Sequence, residues 1–124
     1  MKTVIATDAE ARPVGPYSQA IRANGLIFVS GQIPFDSETA AIVDGIAAQT
    51  DRALRNVAAI LTAAGSSMDK VVRCTVFLTN MSDFSSMNEV YATFFPENPP
   101  ARTTVAVAQL PKDALIEIQA TAVE

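Results

Sequence analysis

The clearest strand in the sequence is the segment Val71-Val72-Arg73-Cys74-Thr75-Val76-Phe77-Leu78. It is rich in β-branched and aromatic side chains, which pack well on a pleated surface. Cys74 alternates with Val72, Val76 and Leu78, so we interpret it as a core residue. The segment therefore predicts a β-strand with one face turned towards a hydrophobic core.

Two helices are predicted on either side of this strand along the chain. The first covers residues 45–64, where the apolar side chains form one stripe and Gly65 provides a left-handed stop. The second begins at Ser82 or Asp83, either of which can cap a helix, and runs to about Phe94. Both helices therefore present an apolar face that can pack on a core.

Five more stretches complete the predicted sheet. They cover residues 4–6, 18–23, 26–30, 102–107 and 115–123. Asn24-Gly25 is a strong hairpin signal, because both positions tolerate positive φ. A chain of 124 residues has room for one compact domain, so we predict a single α/β domain over residues 1–124.

Side chains alternate between two faces in the last two predicted strands. Val105 and Val107 share one face and Arg102 lies on the other, while Glu117 lies opposite two isoleucines. If the apolar faces pack under the helices, Arg102 and Glu117 share the face that no helix covers. That face would also carry Val71, Thr75, Phe77, Thr104 and Ala106. Because such a patch is costly to leave in water, we expect a partner subunit to cover it.

The net charge of −4, with nine basic and thirteen acidic side chains, restricts the class of partner. The basic residues are scattered and no two are adjacent, whereas nucleic-acid binding usually depends on a positive footprint. We therefore expect no nucleic-acid or membrane partner, although one basic residue in a pocket can hold a small anion. No segment has the pattern of a signal peptide or the length of a membrane span, which predicts a cytoplasmic location.

The sequence contains no histidine. This excludes Ser-His-Asp and Cys-His nucleophile systems and the usual zinc sites. No acidic cluster has the spacing of a calcium loop, so we expect neither a metal nor a cofactor. Acid–base chemistry near neutral pH must then come from carboxylates, tyrosine, lysine or water.

Four blocks of the sequence resemble the Rid (reactive intermediate deaminase, YjgF-like) family, in order and at the family's spacing. They are residues 13–20, residues 30–34, residues 75–78 with Asn88, Tyr91 and Phe94-Phe95, and residues 100–102 with Leu110-Pro111 and 116–118. The resemblance implies a chorismate-mutase-like α/β (α+β) fold, with two helices on one face of a mixed six-stranded sheet. It also implies a homotrimer with ligand sites in the clefts between subunits.

The activity that the resemblance implies is the hydrolysis of C=N bonds, as in a 2-iminobutanoate/2-iminopropanoate deaminase. Its substrates would be reactive 2-imino acids, formed from enamines such as 2-aminoacrylate, and its products 2-keto acids and ammonia. Such imines already hydrolyse in water, so orientation and modest charge stabilisation would suffice, without metal or cofactor.

Two charged residues would carry most of this chemistry. The guanidinium of Arg102 presents a planar fork of donors that matches a carboxylate. From the pattern alone, however, a surface salt bridge fits Arg102 as well as a carboxylate-binding site does. Glu117, from the pattern alone, fits a solvated face slightly better than a buried site. The resemblance assigns carboxylate binding to Arg102 and the positioning or activation of water to Glu117.

Five further residues are expected in or near the pocket. By resemblance, Tyr17 forms a wall whose hydroxyl can touch the imino nitrogen or the water, although it could simply pack over a turn. Ser30 and Gly31 are placed in the pocket too, where the alternative is a plain strand exit. Thr104 stands where many relatives carry cysteine. Asn88 is expected to have a structural role near the site.

Two other functions stay open. A non-catalytic sensor of small carboxylates would use the same Arg102, and the sequence does not separate it from an enzyme. Some family members are described as ribonucleases or translation inhibitors, which the acidic charge and the absence of histidine disfavour here.

Overall fold

The computed structural model describes residues 1–10 and 12–124. In this part of the chain, strands and two α-helices alternate with short 3-10 turns. The strands are β1 (Thr3–Ile5), β2 (Ala20–Ala23), β3 (Leu26–Gln32), β4 (Phe35–Asp36), β5 (Ala41–Ile42), β6 (Val71–Leu78), β7 (Ala101–Ala106) and β8 (Ile116–Val123). The helices are α1 (Ile46–Ala63) and α2 (Phe84–Phe94).

Six strands form one mixed sheet in the order β1-β2-β3-β8-β6-β7. Neighbours are antiparallel except β6 and β7, which are parallel because α2 crosses over between them. The strands β4 and β5 form a separate small hairpin. The predicted α+β class, with a mixed six-stranded sheet and two helices, is confirmed.

The hydrophobic core lies between this sheet and the helices. Leu54 and Leu61 of α1 are completely buried, as their place on the predicted stripe requires. In β8, burial alternates as predicted, with Ile116 and Ile118 inaccessible to solvent and Glu117 between them only partly covered. Cys74 is buried in the same core, which confirms its interpretation. The face that carries Ile116, Ile118 and Cys74 is the inner face, and the opposite face is the outer face.

Across the described residues, no helix is both long and apolar enough to cross a bilayer.

The start of β6 departs from the predicted alternation. The register shifts between Val71, which pairs with Ala122, and Arg73, which pairs with Thr121. Two residues of β6 therefore lie opposite one of β8, which is a β-bulge. The bulge turns Val71 into the core and leaves Val72 largely exposed. The predictions that Val71 lies on the uncovered face and Val72 in the core are wrong for this reason.

The two faces of β7 are the reverse of the prediction. Arg102 pairs with Cys74 and Thr104 with Val76, and paired residues share a face of the sheet. Both β6 residues are buried under the helices, so Arg102 and Thr104, and with them Ala106, lie on the inner face. The expectation that Arg102 and Glu117 share the uncovered face is therefore wrong. β7 is an edge strand near the rim of the helix layer, where polarity does not identify the buried side.

The cap of α2 also differs from the prediction. Neither Ser82 nor Asp83 caps the helix with its side chain; instead a 3-10 turn, Met81–Asp83, precedes it. The side chain of Asn80 accepts a hydrogen bond of 2.9 Å from the backbone N–H of Ser82. Asn80 thus fixes the entry to α2 and the position of Phe84, its first residue.

Candidate functional site

The first group of predicted site residues lies on the outer face, where Glu117 packs against Gly31. A Cβ placed on Gly31 would lie 2.8 Å from the Cδ of Glu117 and closer still to one carboxylate oxygen. Gly31 sits in an irregular stretch of β3, where the register with β8 shifts between Val29 and Gln32. Glu117 is half-buried there, and this desolvation raises the pKa of its carboxyl above the ordinary value.

Ser30 fixes the preceding loop beside Gly31. Its hydroxyl donates to the carbonyl oxygen of Ser18 at 2.6 Å, and its backbone N–H donates to the carbonyl of Gln19 at 2.9 Å. These two bonds hold the segment that follows Tyr17 against β3. The Ser30 hydroxyl therefore has a structural partner of its own in the part of the chain that the structure describes.

Tyr17 lies in the loop before β2 and lines a cavity next to Gly31. Its backbone N–H donates to the carbonyl of Gly15 at 2.9 Å, which makes a tight turn, and its side chain is 54% exposed. Tyr17 and Gly31 line the same cavity of about 230 Å³. The structure thus places Gly31 against Glu117, with Ser30 next to it in β3 and Tyr17 on a cavity that Gly31 also lines.

The second group lies on the inner face, where Arg102 is surrounded by side chains of α2. The Cζ of its guanidinium lies 4.7 Å from the centre of the Tyr91 ring and 5.6 Å from that of Phe84. One terminal nitrogen lies 3.9 Å from the Sδ of Met87. Phe84 lies three residues before Met87, and Tyr91 four residues after it, which is also the spacing of a helix face that packs on a core, so the sequence did not single them out.

Arg102 has no carboxylate partner in residues 1–10 and 12–124. The ion pairs found there are Arg12–Asp8, Arg22–Glu124 and Arg55–Asp51. The guanidinium is only partly exposed, yet its positive charge meets aromatic rings and a thioether rather than an anion. It is thus available to an incoming carboxylate, which an arginine already engaged in a surface salt bridge would not be.

Two polar atoms on the α2–β7 side add to this group. The Oγ1 of Thr104 and the Oδ1 of Asn88 are buried and have no hydrogen-bond partner among the described residues. A buried polar atom without a partner is costly, so each is suited to a polar group that arrives from outside the chain. Asn88, expected to be a structural residue, therefore shows no structural bond through this oxygen.

Within one chain the two groups cannot touch the same small ligand. Arg102 lies on β7 and Glu117 on β8, with β6 between them. Two strand spacings amount to about 10 Å, and the two side chains also point to opposite faces. Each chain therefore presents two separate half-sites, one on each side of the sheet.

Over almost its whole length, the chain is similar to proteins of one family. Residues 7–124 match the sequence model of a family described as endoribonuclease L-PSP. A RutC family protein of Pyrococcus horikoshii is 54% identical over 123 residues, covering 98% of each chain. The 2-iminobutanoate/2-iminopropanoate deaminase of Salmonella typhimurium is 42% identical over 126 residues, covering 99% of this chain and 98% of that protein. A solved structure of a Rid family protein from Yersinia pestis covers 100% of both chains, with 44% identity and a TM-score of 0.97.

The chain belongs to the Rid family. The resemblance carried by the four sequence blocks is thereby confirmed, and so is the fold that it implied. The described part of this Rid protein contains no group of three or more His, Cys, Asp or Glu side chains that could hold a metal ion.

The contact between Gly31 and Glu117 in this Rid protein can be tested with Gly31→Ala. The φ of Gly31 is not in the left-handed region, so alanine fits the backbone and only the Glu117 carboxyl must move. If Glu117 takes part in catalysis, we expect turnover to fall about tenfold, since small displacements of reacting groups are costly. The check is a double-mutant cycle with Glu117→Gln. If Gly31→Ala lowered turnover equally in both backgrounds, its effect would not pass through Glu117.

Proposed function

We propose that this Rid protein hydrolyses reactive 2-imino acids, such as 2-iminopropanoate and 2-iminobutanoate, to 2-keto acids and ammonia in the cytoplasm. The observation that carries the proposal is the aromatic-lined guanidinium of Arg102, which has no ion-pair partner among the described residues, on one surface of the chain, with a desolvated carboxyl, Glu117, on the other. A carboxylate anchor and a base of raised pKa are what this reaction needs. The deaminase name of the Salmonella relative supports the same substrates.

The proposed site is built between subunits of a homotrimer. Because the two half-sites lie on different faces, joining them requires two different surfaces to meet, which makes a head-to-tail interface that closes into a ring. The outer face also exposes Phe28, Val105 and Val123, which such an interface would cover.

Light scattering at micromolar concentration is expected to give three times the mass of one chain. A monomer at that concentration would contradict the proposed assembly. The matched variant Val105→Asp, which places a charge on the exposed outer face of β7, is expected to shift the mass towards the monomer.

In the proposed reaction, Arg102 binds the substrate carboxylate through two parallel N–H donors. Glu117 accepts a proton from water as the water oxygen adds to C2, and the C=N electron pair moves to nitrogen, which takes up a proton from solvent. Glu117 then returns its proton to the amino group of this carbinolamine. The C–N bond breaks, the hydroxyl loses its proton to solvent, and ammonia leaves a 2-keto acid.

The other site residues have supporting roles in this proposal. The Tyr17 hydroxyl touches the imino nitrogen or the attacking water, and Ser30 with Gly31 keeps the backbone beside Glu117 in place. Thr104 lies two residues after Arg102 on the same face, so its hydroxyl, which has no partner in the described part of the chain, adds a polar contact to the bound acid. Asn88 lies next to this group on the adjoining helix, where its Oδ1, which has no partner among the described residues, can accept a hydrogen bond from outside the chain.

The deciding experiment measures ammonia released from a freshly generated 2-imino acid, with and without the protein. We expect release above the spontaneous rate in the parent protein and near the spontaneous rate in Glu117→Gln. Binding of pyruvate without any turnover would instead favour the carboxylate sensor. RNA binding that weakens steeply with salt would favour the ribonuclease suggested by the family's description.

A further inference from the structure

Arg102 has an unusual shell of neighbours for a cation. Phe84, Met87 and Tyr91 all come from α2 and all meet the one guanidinium. Met87 and Tyr91 are also buried in the hydrophobic core, whereas Phe84 is 37% exposed. Phe84 therefore takes less part in the core than Met87 and Tyr91 do, and its ring centre lies 5.6 Å from the Cζ of Arg102.

The geometry of a guanidinium divides its interactions between faces and edge. Aromatic rings attract the cation through its faces, and the N–H donors that grip a carboxylate point outward in the guanidinium plane. Rings near the guanidinium can thus restrict it without competing for its donors. A carboxylate side chain in the same place would occupy those donors and block the ligand.

We propose that Phe84 is a positioning residue: together with Tyr91 it holds the Arg102 guanidinium in the orientation that receives the carboxylate of the ligand. This inference rests on the proposed function, because it takes Arg102 as the carboxylate anchor. A long side chain that is already restricted loses less conformational freedom on binding, so the aromatic contact contributes to affinity for the acid.

The test compares Phe84→Leu, which removes the ring, with Phe84→Tyr, which restores it. A matched control is Phe94→Leu: it removes a ring from the other end of α2, where that ring lies 5.9 Å from the guanidinium carbon of Arg55. We expect Phe84→Leu to weaken pyruvate binding, measured by calorimetry, about two- to fivefold. The KM for the imino acid should rise by the same factor with little change in kcat, because the bidentate grip itself is intact. Phe84→Tyr should recover most of the affinity.

Three results would overturn the positioning role. One is parent-like pyruvate affinity in Phe84→Leu. The second is a Phe84→Tyr variant as weak as Phe84→Leu, which would show that the ring is not the cause. The third is an equal loss in Phe94→Leu, which would indicate a general effect of helix packing.

A spectroscopic readout separates this inference from the proposed function. The Nε–H resonance of Arg102 in the parent protein should be displaced by the neighbouring rings, and Phe84→Leu should move it towards the position of a solvated arginine. If the parent neither binds pyruvate nor releases ammonia, the proposed function fails, and this resonance alone decides whether Phe84 orders Arg102. An unchanged resonance in Phe84→Leu would then contradict the ordering.

Discussion

Arg102→Lys is expected to lower kcat/KM for 2-iminopropanoate by about 100-fold, because the ammonium keeps the charge but loses the fork that orients the substrate. The contacts of the guanidinium with the rings of Phe84 and Tyr91 are lost at the same time. Pyruvate binding, measured by calorimetry, should weaken as well.

Arg55→Lys is the matched control for this variant. Arg55 also meets a phenylalanine ring of α2, but it already pairs with Asp51 at 2.8 Å and lies on the helix surface. We expect its kinetics to match those of the parent. If Arg102→Lys bound pyruvate as tightly as the parent protein, the carboxylate anchor would have to be another residue.

Glu117→Gln is expected to lower kcat by roughly 100- to 10,000-fold, the usual contribution of a positioned base, while pyruvate binding survives. The amide keeps the size of the side chain and one acceptor but cannot take up a proton. In the parent, kcat should rise with pH through the pKa of Glu117, at a pH above the ordinary carboxyl value, since desolvation raises that pKa. The residual kcat of the variant should not show this rise with pH.

Although Glu117→Gln is expected to lower kcat, it is not expected to lower the stability of the fold. A carboxyl whose pKa is raised in the folded state binds protons more readily there than in the unfolded chain, so its ionisation opposes folding as pH rises through that range. At neutral pH, Glu117→Gln should therefore unfold at a temperature at least as high as the parent. Loss of activity with loss of stability would indicate a structural role for Glu117 instead.

The sequence predicted those parts of the fold in which local pattern and burial agree. The apolar residues of α1 and β8 face a fully covered core. Their spacing in the sequence therefore predicts which side chains are buried. The bulge at Val71 was not predictable, because one extra residue in a strand leaves no mark in a run of β-branched side chains. The prediction of which face of β7 is buried was wrong because Val105 is apolar yet faces outward, at the edge of the sheet.

The candidate site divides in the same way. Gly31 and Glu117 meet because the neighbouring strands β3 and β8 bring them to one face, and the loop before β2 places Tyr17 on a cavity that Gly31 also lines. The separation of Arg102 from Glu117 depended on the register between β6 and β7, which alternation within one strand cannot supply. The aromatic neighbours of Arg102 were hidden because a helix stripe facing a cation has the same period as one facing a core.

The placement of the two half-sites on opposite faces makes catalysis a property of contact between molecules. On the proposed assembly, each chain lends its arginine to one neighbour and its glutamate to the other, so a closed ring has as many sites as subunits. An isolated chain would be fully folded and yet inert. Dilution, or weakening of the interface, would then abolish catalysis while the chain stays folded.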